Sequence, residues 1–468
     1  MQNSTIEVDI AVVGGGNAAL CAAIAARRAG CSVIVLEGAP KFYRGGNTRH
    51  TRNCRLAHDA PNRILVDAYG EEEYLEDLMR VTGGNTDKAL AHVTINRSKA
   101  VMEWLGQQGV RFQSSLSGTL SLDRTNAFFL GGGRAMLNAL YRTAQGLGVD
   151  IRYDHEVVGL DISGGEFRAA TVSTPTGTLT VKARSLVAAA GGFEANIEWL
   201  KQYWGDVADN FIIRGTRYNR GGMLKLLLDN GVEPIGDPTQ CHAVAVDARA
   251  PQFDAGIITR LDCIVFGIVV NREARRFYDE GEDFWPKRYA IWGRLVAGQP
   301  EQTAYVIFDR PSLDRFMPSL YRPIEARTIP ELAAKLDLDA VQLAETVTQY
   351  NAAVQDGTLD SRVLDDCRTE GLTPPKSHWA TRIVEPPFYA YPLRPGITFT
   401  YLGTRVDAGA RMQMASGKPA ANMFAAGEIM AGNVLGRGYL AGFGMTIGSV
   451  FGRIAGEEAA NHARNASA

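Results

Sequence analysis

The sequence predicts an α/β protein in which a nucleotide-binding domain is built from both ends of the chain and carries an inserted α+β capping domain. Three stretches predict it. Residues 8 to 37 read as strand, glycine turn, helix and strand; residues 185 to 196 are an apolar strand running into two glycines; residues 420 to 441 repeat that strand ending before a glycine-laden loop and a helix. The expected extents are 1–237 and 398–468 for the nucleotide domain, with 238–397 as the cap between them.

In the first stretch, Val8 to Val13 is apolar and rich in β-branched residues, Gly14, Gly15 and Gly16 interrupt it, and Ala18 to Arg28 is Ala-rich with helical composition. A second buried-strand pattern, Cys31 to Leu36, ends in Glu37, about twenty positions beyond the glycines, the spacing of a Rossmann-like βαβ fingerprint. Gly14 permits the sharp turn, Gly16 lets a pyrophosphate approach the backbone, and the small Ala19 stands where the third glycine would. The helix start at Asn17 and Ala18 offers unpaired N–H groups and a positive dipole end, and Glu37 can accept hydrogen bonds from a ribose diol. Asp9, Asn17 and three consecutive glycines argue against a signal peptide or a membrane span here.

Composition sets outer bounds. The 468 residues supply two or three domains, and 49 basic against 51 acidic side chains leave no general field for nucleic acid or anionic lipid. Any anion must therefore be recognised locally. The six cysteines show no CxxC spacing, so buried reduced thiols are expected rather than disulfides, a metal site or an iron–sulfur cluster. With no run of about eighteen apolar residues and no export signal, no membrane span is expected and the expected compartment is the cytoplasm.

Residues 41 to 59, KFYRGGNTRHTRNCRLAHD, have no amphipathic period. Gly45, Gly46, Asn47 and Thr48 can bring backbone close to a cofactor, while Arg49, His50, Arg52 and Arg55 concentrate positive charge beside it; a solvated basic loop is the plainer alternative. Helical signals follow over Glu71 to Leu78 and Arg97 to Gln107, where Val101, Trp104 and Leu105 can face a core. A glycine turn at 131–133, a helix, the helix-ending Gly148 and a strand from Val149 continue the nucleotide domain, and Glu166 to Val181 has the alternation of a small antiparallel meander. Within the cap, residues 313–320 and 329–355 have helical patterns, with Asp337 or Asp339 as the cap of the last helix and Val341, Ala344, Val347 and Val354 as its apolar positions.

The fingerprint, the GGN loop at 45–47, the AAGGFEAN strand end at 189–196 and the late AAGE at 425–428 resemble the FAD-binding fumarate reductase and succinate dehydrogenase flavoprotein superfamily over nearly the whole chain. GGNTRHTRN and GRGYLAGFGM look closest to FAD-dependent tricarballylate dehydrogenases, with 3-ketosteroid dehydrogenases as more distant relatives. The resemblance implies non-covalent FAD held by Gly14, Gly16, Asn17, Ala18, Glu37, Gly45, Gly46, Asn47, Thr48, Gly191, Gly427, Glu428, Gly442 and Gly444, with Glu428 on the ribityl chain. It also implies hydride transfer at a carbon next to a carboxylate in a small polycarboxylate, by analogy tricarballylate to cis-aconitate.

A carboxylate substrate calls for guanidinium forks. Arg49, His50, Arg52, His242, Thr398 and Arg437 are the substrate-binding candidates, and Arg288, Tyr439 and His242 the catalytic ones, with Lys287 or Tyr289 as alternatives to Arg288. The histidine pair that the superfamily carries after Pro-Gly is replaced here by Thr398 and Phe399, and its late substrate arginine aligns with Tyr439. Both changes point away from fumarate itself. With no iron–sulfur motif, electrons must pass to a separate acceptor such as an iron–sulfur protein or a quinone pathway. A reductase running in the opposite direction, a ketosteroid-type desaturase, and a flavin-binding subunit without turnover are the alternatives.

Overall fold

The computed structural model describes residues 4–118 and 120–466. The first strand, β1 (Ser4–Val13), starts four residues earlier than its apolar run because it forms one continuous parallel ladder with a later strand, Ser4 opposite Leu179 and Glu7 opposite Lys182. It leads through the glycine turn into α1 (Asn17–Arg28) and β2 (Val33–Glu37), every residue of β2 being buried. Next come α2 (Gly132–Gly146), β3 (Asp150–Tyr153), the antiparallel β4 (Glu156–Ser163) and β5 (Glu166–Thr174), and β6 (Gly177–Ala188). The expected helical stretch at 97–107 is a break between two helices, Lys88–Ser98 and Val101–Gln107.

The cap region carries β7 (Cys241–Asp247), β8 (Ile268–Asn271), β9 (Ala304–Phe308), α3 (Ile329–Leu336), α4 (Ala340–Ala353) and β10 (Phe388–Thr400). Residues 313–320 are turns, not a helix; Pro318 lacks the N–H that a helix interior needs. Asp339 caps α4 by accepting from Val341 N and Gln342 N, both at 2.9 Å, while Asp337 takes a left-handed φ of 56° and ends α3. Val341, expected to be apolar core, is 79% exposed in the first turn of α4; Val347 and Val354 are buried. β10 is the centre of the second sheet: β7, β9 and the short strand Ile324–Ala326 pair with it antiparallel, and Ile212–Ile213 pairs parallel. β10 spans the expected junction at 397/398.

The chain then returns through β11 (Arg411–Gln413), β12 (Pro419–Ala425) and α5 (Phe443–Asn465). The main sheet has the order β11-β12-β6-β1-β2-β3, parallel from β12 to β3. The first and last long helices close this domain on themselves. Gly452 and Gly456, one turn apart on α5, meet the backbone of α1 so closely that an added Cβ would lie 2.5 Å from Ala18 O and 2.3 Å from Ala22 O. Asn17 ties the same helices through Nδ2, which donates to Met445 O at 3.1 Å and Ser449 Oγ at 2.9 Å. All six cysteines are buried and free. Among the described residues no helix is long and apolar enough to cross a membrane, and no group of three His, Cys, Asp or Glu stands ready to hold a metal ion.

Candidate active site

The C-terminal ends of the parallel strands open onto one cavity of about 430 Å³, where an open α/β sheet binds its ligand. Gly14 (φ 111°) turns under it, and a Cβ there would lie 2.3 Å from Ala189 O. On Gly15 a Cβ would lie 2.2 Å from Glu37 Oε2, so the strand–helix turn and the acid close on one another only because that side chain is absent. Gly16, which has no side chain to cap with, is the N-cap of α1, whose start borders the cavity with Asn17 and Ala18 on its wall. Glu37 is buried at the end of β2, its two oxygens accepting from Ala39 N at 3.0 Å and Gly45 N at 3.1 Å. The N–H of Asn17 donates to Thr48 Oγ1 at 3.0 Å, so the helix start and the 45–48 loop are set together. A helix N-terminus, a wall of glycine backbone and a buried acid are the donor and acceptor set that a dinucleotide needs, so these residues fit FAD.

Beside the cavity lies a buried carboxyl pair, of which Glu428 reaches its wall. Glu194 accepts from Asn47 Nδ2 at 2.6 Å and from Asn219 Nδ2 at 2.8 Å, and faces Glu428, whose Oε1 accepts from Thr400 N at 2.9 Å and Thr400 Oγ1 at 3.3 Å. Asn47 also donates to Thr398 O at 2.5 Å, linking the GGN loop to β10. Burial pushes both carboxyls up, Glu194 to about 7, and the charge of Glu194 adds to the rise of Glu428. Two carboxylates this close in a dry site do not both ionise.

The far end of the cavity is cationic and aromatic. His242, on β7, lies flat on Tyr439 with ring centres 3.9 Å apart, and meets Tyr289 edge-on at 5.5 Å. Burial, reinforced by Arg214 and Arg260, pushes the imidazole well down, so it is neutral, and neither ring nitrogen has a partner among the described residues. The Tyr439 hydroxyl accepts the N–H of Gly444 at 2.8 Å, in the first turn of α5. Arg214 stands on the cavity wall just after Ile212–Ile213, its backbone N–H bonded to Ile397 O at 2.9 Å. Beside it, Arg260 donates to Asp262 at 2.8 Å and lies 4.6 Å above the Tyr289 ring; Arg52 approaches the same Asp262 at 3.7 Å. Asp262 also accepts from Trp285 Nε1 at 2.7 Å. Burial raises the Asp262 carboxyl, but the Arg260 and Arg52 guanidiniums overcome it and hold it below its usual range. Burial, with repulsion from Arg260, pulls Arg52 down to about 9 and Arg214 to about 10, so both remain cations at neutral pH.

Of the sequence candidates, Gly14, Gly16, Asn17, Ala18, Glu37, Gly45, Gly46, Asn47 and Thr48 line this cavity. Gly191, Gly427, Glu428, Gly444, His50, His242, Thr398 and Tyr439 line it too. Gly442 stands behind the wall as the left-handed N-cap of α5, where a Cβ would lie 2.4 Å from Asn126 Nδ2. His50 is held at 3.3 Å by Asp254, and the Thr398 hydroxyl is buried without a partner. Four basic candidates are not among the residues that line the cavity: Arg52 points to Met317 Sδ at 3.0 Å and to Asp262 at 3.7 Å, and the other three lie elsewhere. Arg49 lies over the rings of Phe42 and Tyr43, Arg437 is exposed and donates to Thr82 O at 3.2 Å, and Arg288 pairs with Glu282 at the edge of the cap. Arg214, Arg260, Asp262 and Asn219 carry no local pattern that marks them. The one available signal was an acid, Glu194, inside the otherwise small and apolar AAGGFEAN stretch.

A family model described as "FAD binding domain" matches residues 9–445. The NADH:fumarate oxidoreductase of Klebsiella pneumoniae is 26% identical over 468 residues, which cover 97% of this chain and 48% of that protein, so the chain spans about half of that relative. Among solved structures, the open conformation of a flavocytochrome c3 fumarate reductase superposes with a TM-score of 0.76 at 24% identity, over 98% of this chain and 78% of the other. The 3-ketosteroid-Δ4-(5α)-dehydrogenase from Rhodococcus jostii does so with a TM-score of 0.73 at 22% identity, over 98% and 100%. These two likenesses are of fold.

Proposed function

The chain belongs to the FAD binding domain family, and on that premise we propose that it is an FAD-dependent oxidoreductase acting on a C–C bond next to the carboxylates of a small polycarboxylate, tricarballylate to cis-aconitate being the reaction we favour. The observation that carries the reading is the cavity itself, a dinucleotide cradle at one end and a buried cation, Arg214, beside a neutral His242 and Tyr439 at the other. Gly14, Gly16, Asn17, Glu37, Gly45 to Thr48 and Glu428 would hold FAD, with Gly191, Gly427, Gly442 and Gly444 shaping its bed.

Bound FAD supplies the hydride acceptor. The residues of the chain then have three tasks. Arg214 and His242 bind a carboxylate, the guanidinium through two in-plane N–H groups and the imidazole through one. His242 and Tyr439, stacked and buried, exclude water from the reacting carbons. The proton lost from the carbon next to the departing hydride, as its C–H pair becomes the new C=C bond, passes to Tyr439 or Tyr289 only as the phenolate, after that hydroxyl has released its own proton to solvent; Arg288, paired with Glu282, is the weaker candidate.

One observation favours the reverse direction as a second reading. Burial pushes both tyrosines up, so in the resting protein they are neutral phenols, suited to protonating an enoate. In either direction the electrons are exchanged with a separate partner, an iron–sulfur protein or a quinone pathway. Anaerobic addition of tricarballylate, succinate and a 3-ketosteroid to the FAD-loaded protein tests the proposal. Bleaching of the oxidised flavin band by tricarballylate alone supports it. Bleaching by none of them, with no reoxidation of the reduced protein by fumarate or aconitate, overturns it.

A further inference from the structure

We propose that Asp77 is a positioning residue for the reaction: held to Lys287 on one side and to Arg55 on the other, it sets Tyr289 and His242 of the cap region in register with Tyr439. The inference rests on the reading above, in which these three rings bind the substrate and move its proton. Asp77 lies on the helix Glu71–Thr82, 7% exposed and not on the cavity wall. Lys287 Nζ, on the short helix Trp285–Arg288 of the cap, meets its Oδ1 at 2.6 Å. Its Oδ2 accepts from the Tyr69 hydroxyl at 2.9 Å and lies 3.5 Å from Arg55 Nη1, which donates to that same hydroxyl at 2.6 Å. Lys287 does not line the cavity either; its charge is directed at Asp77 and not at a substrate.

Both arms of this network lead to the site. Tyr289 follows directly on the Trp285–Arg288 helix and meets His242 edge-on at 5.5 Å. On the other arm, Arg55 Nε donates to Ala441 O at 3.2 Å, its backbone N–H to Gly442 O at 3.4 Å, and its carbonyl accepts from Thr446 Oγ1 at 2.5 Å. Arg55 thus grips the chain between Tyr439 and the first turn of α5, where the N–H of Gly444 reaches the Tyr439 hydroxyl. The stack of His242 on Tyr439, 3.9 Å between ring centres, joins the two parts that Asp77 ties together. A second pair fixes the direction. Arg80, on the same helix face as Asp77, meets Asp283 at 3.0 Å, so each segment presents one acid and one base in opposite sense. Sliding one past the other would set Asp77 against Asp283 and Arg80 against Lys287. Desolvation offsets most of the attraction in a buried ion pair, and its best-attested use is to specify register. Register matters at this site because a displacement of about 1 Å in reacting groups can cost on the order of 100-fold in rate.

Anaerobic stopped-flow mixing of FAD-loaded protein with tricarballylate separates the limiting rate of flavin bleaching from the apparent Kd. Lys287→Met, which keeps the apolar stem and drops the charge, and Asp77→Asn should each lower the limiting rate about tenfold while Kd moves less than threefold. The double variant should be no slower than the slower single one, since the two residues act as a unit. Lys287→Arg should retain at least a third of the wild-type rate. Lys99→Met breaks a surface pair with Glu71 on the same helix and should leave the rate unchanged. Hydrogen exchange read by mass spectrometry needs no substrate: the Gly444 amide should exchange at least tenfold faster in Lys287→Met, and at the wild-type rate in Lys99→Met. Limiting rates within threefold of wild type, a loss confined to Kd, or Lys287→Arg as slow as Lys287→Met overturns the proposal. If tricarballylate bleaches no flavin in the wild type, the polycarboxylate reading falls, and the exchange decides the register: a faster Gly444 amide sustains it and an unchanged one overturns it. If Asp77→Asn fails to fold, the Lys287 variants, at a side chain 19% exposed, carry the test.

Discussion

Replacing Glu194 by glutamine should make the protein more stable at neutral pH, and increasingly so as pH rises. The substituted side chain keeps the oxygen that accepts from Asn47 and Asn219 and presents an amide N–H toward Glu428, so the pair becomes a satisfied hydrogen bond instead of two carboxyls competing for a proton. In the wild type, burial raises the Glu194 carboxyl from 4.5 to about 7. The folded protein therefore binds that proton more tightly than the unfolded chain does. Its contribution is fully present below about pH 4.5 and is lost as pH climbs through about 7. At about 1.4 kcal/mol per pH unit the loss is on the order of 3 kcal/mol. With an unfolding entropy of roughly 2 cal/mol/K per residue, the 468 residues convert this to a Tm difference of about 3 °C. Scanning calorimetry of FAD-loaded wild type and Glu194→Gln at pH 5, 6, 7 and 8 is the assay. The variant's Tm advantage should grow by about that amount across the series. An advantage that stays flat, or that shrinks as pH rises, would refute the shared-proton reasoning.

Three further outcomes are expected. Gly456→Ala should lower Tm, since its Cβ would fall 2.3 Å from Ala22 O and overpacking of about 1–3 kcal/mol outweighs the gain in helix propensity, whereas Gly146→Ala, with nothing within 4 Å, should raise it; the opposite pattern in thermal scans would discredit the α1–α5 contact. Arg288→Lys and Arg437→Gln should change kcat by less than about threefold in steady-state assays with tricarballylate and an artificial acceptor, while Tyr439→Phe lowers it by roughly 100-fold or more; an equal loss in Arg288→Lys would return that arginine to the proton step. A thiol reagent at pH 8 should label less than one equivalent of the native protein and six after unfolding, because all six cysteines are buried and burial pushes the Cys21 and Cys241 thiols up to about 12; rapid native labelling would contradict the packing.

The cofactor half of the cavity was legible because its chemistry is local. Gly14, Gly16 and Glu37 lie within one βαβ unit, and a turn that needs positive φ, a helix start that needs no side chain and a strand that ends in an acid each leave a mark at fixed spacing. Asn47 and Glu428 belong to glycine-rich loops that announce close backbone approach. The same logic explains the reach of the cap prediction: Asp339 is a cap because of its neighbours, but Val341, two residues on, was assigned to the core by polarity alone and lies outside it.

The substrate half was less legible because it is assembled by pairing across the chain. Arg214 is aimed by the two-residue ladder of Ile212–Ile213 on β10, and Arg260 by its bridge to Val246, so neither sits in a pattern of its own. Where the sequence did mark the right segment, one position decided which side chain meets the cavity. Arg288 and Tyr289 are consecutive residues of one helical turn, about 100° apart around its axis; the first meets Glu282 and the second His242. Arg437 and Tyr439 flank Gly438, whose φ of 64° reverses the backbone, and they too part company, one toward Thr82 O and solvent, the other onto His242. A charged residue next to a motif is thus weaker evidence of a site than the turn geometry of the motif itself. What separates these arginines is the surrounding charge: Arg49 and Arg437 have solvent or rings around them, whereas Arg52 and Arg260 share a single carboxylate, Asp262, and the side chain of Arg214 has buried nitrogens with no acceptor among the described residues.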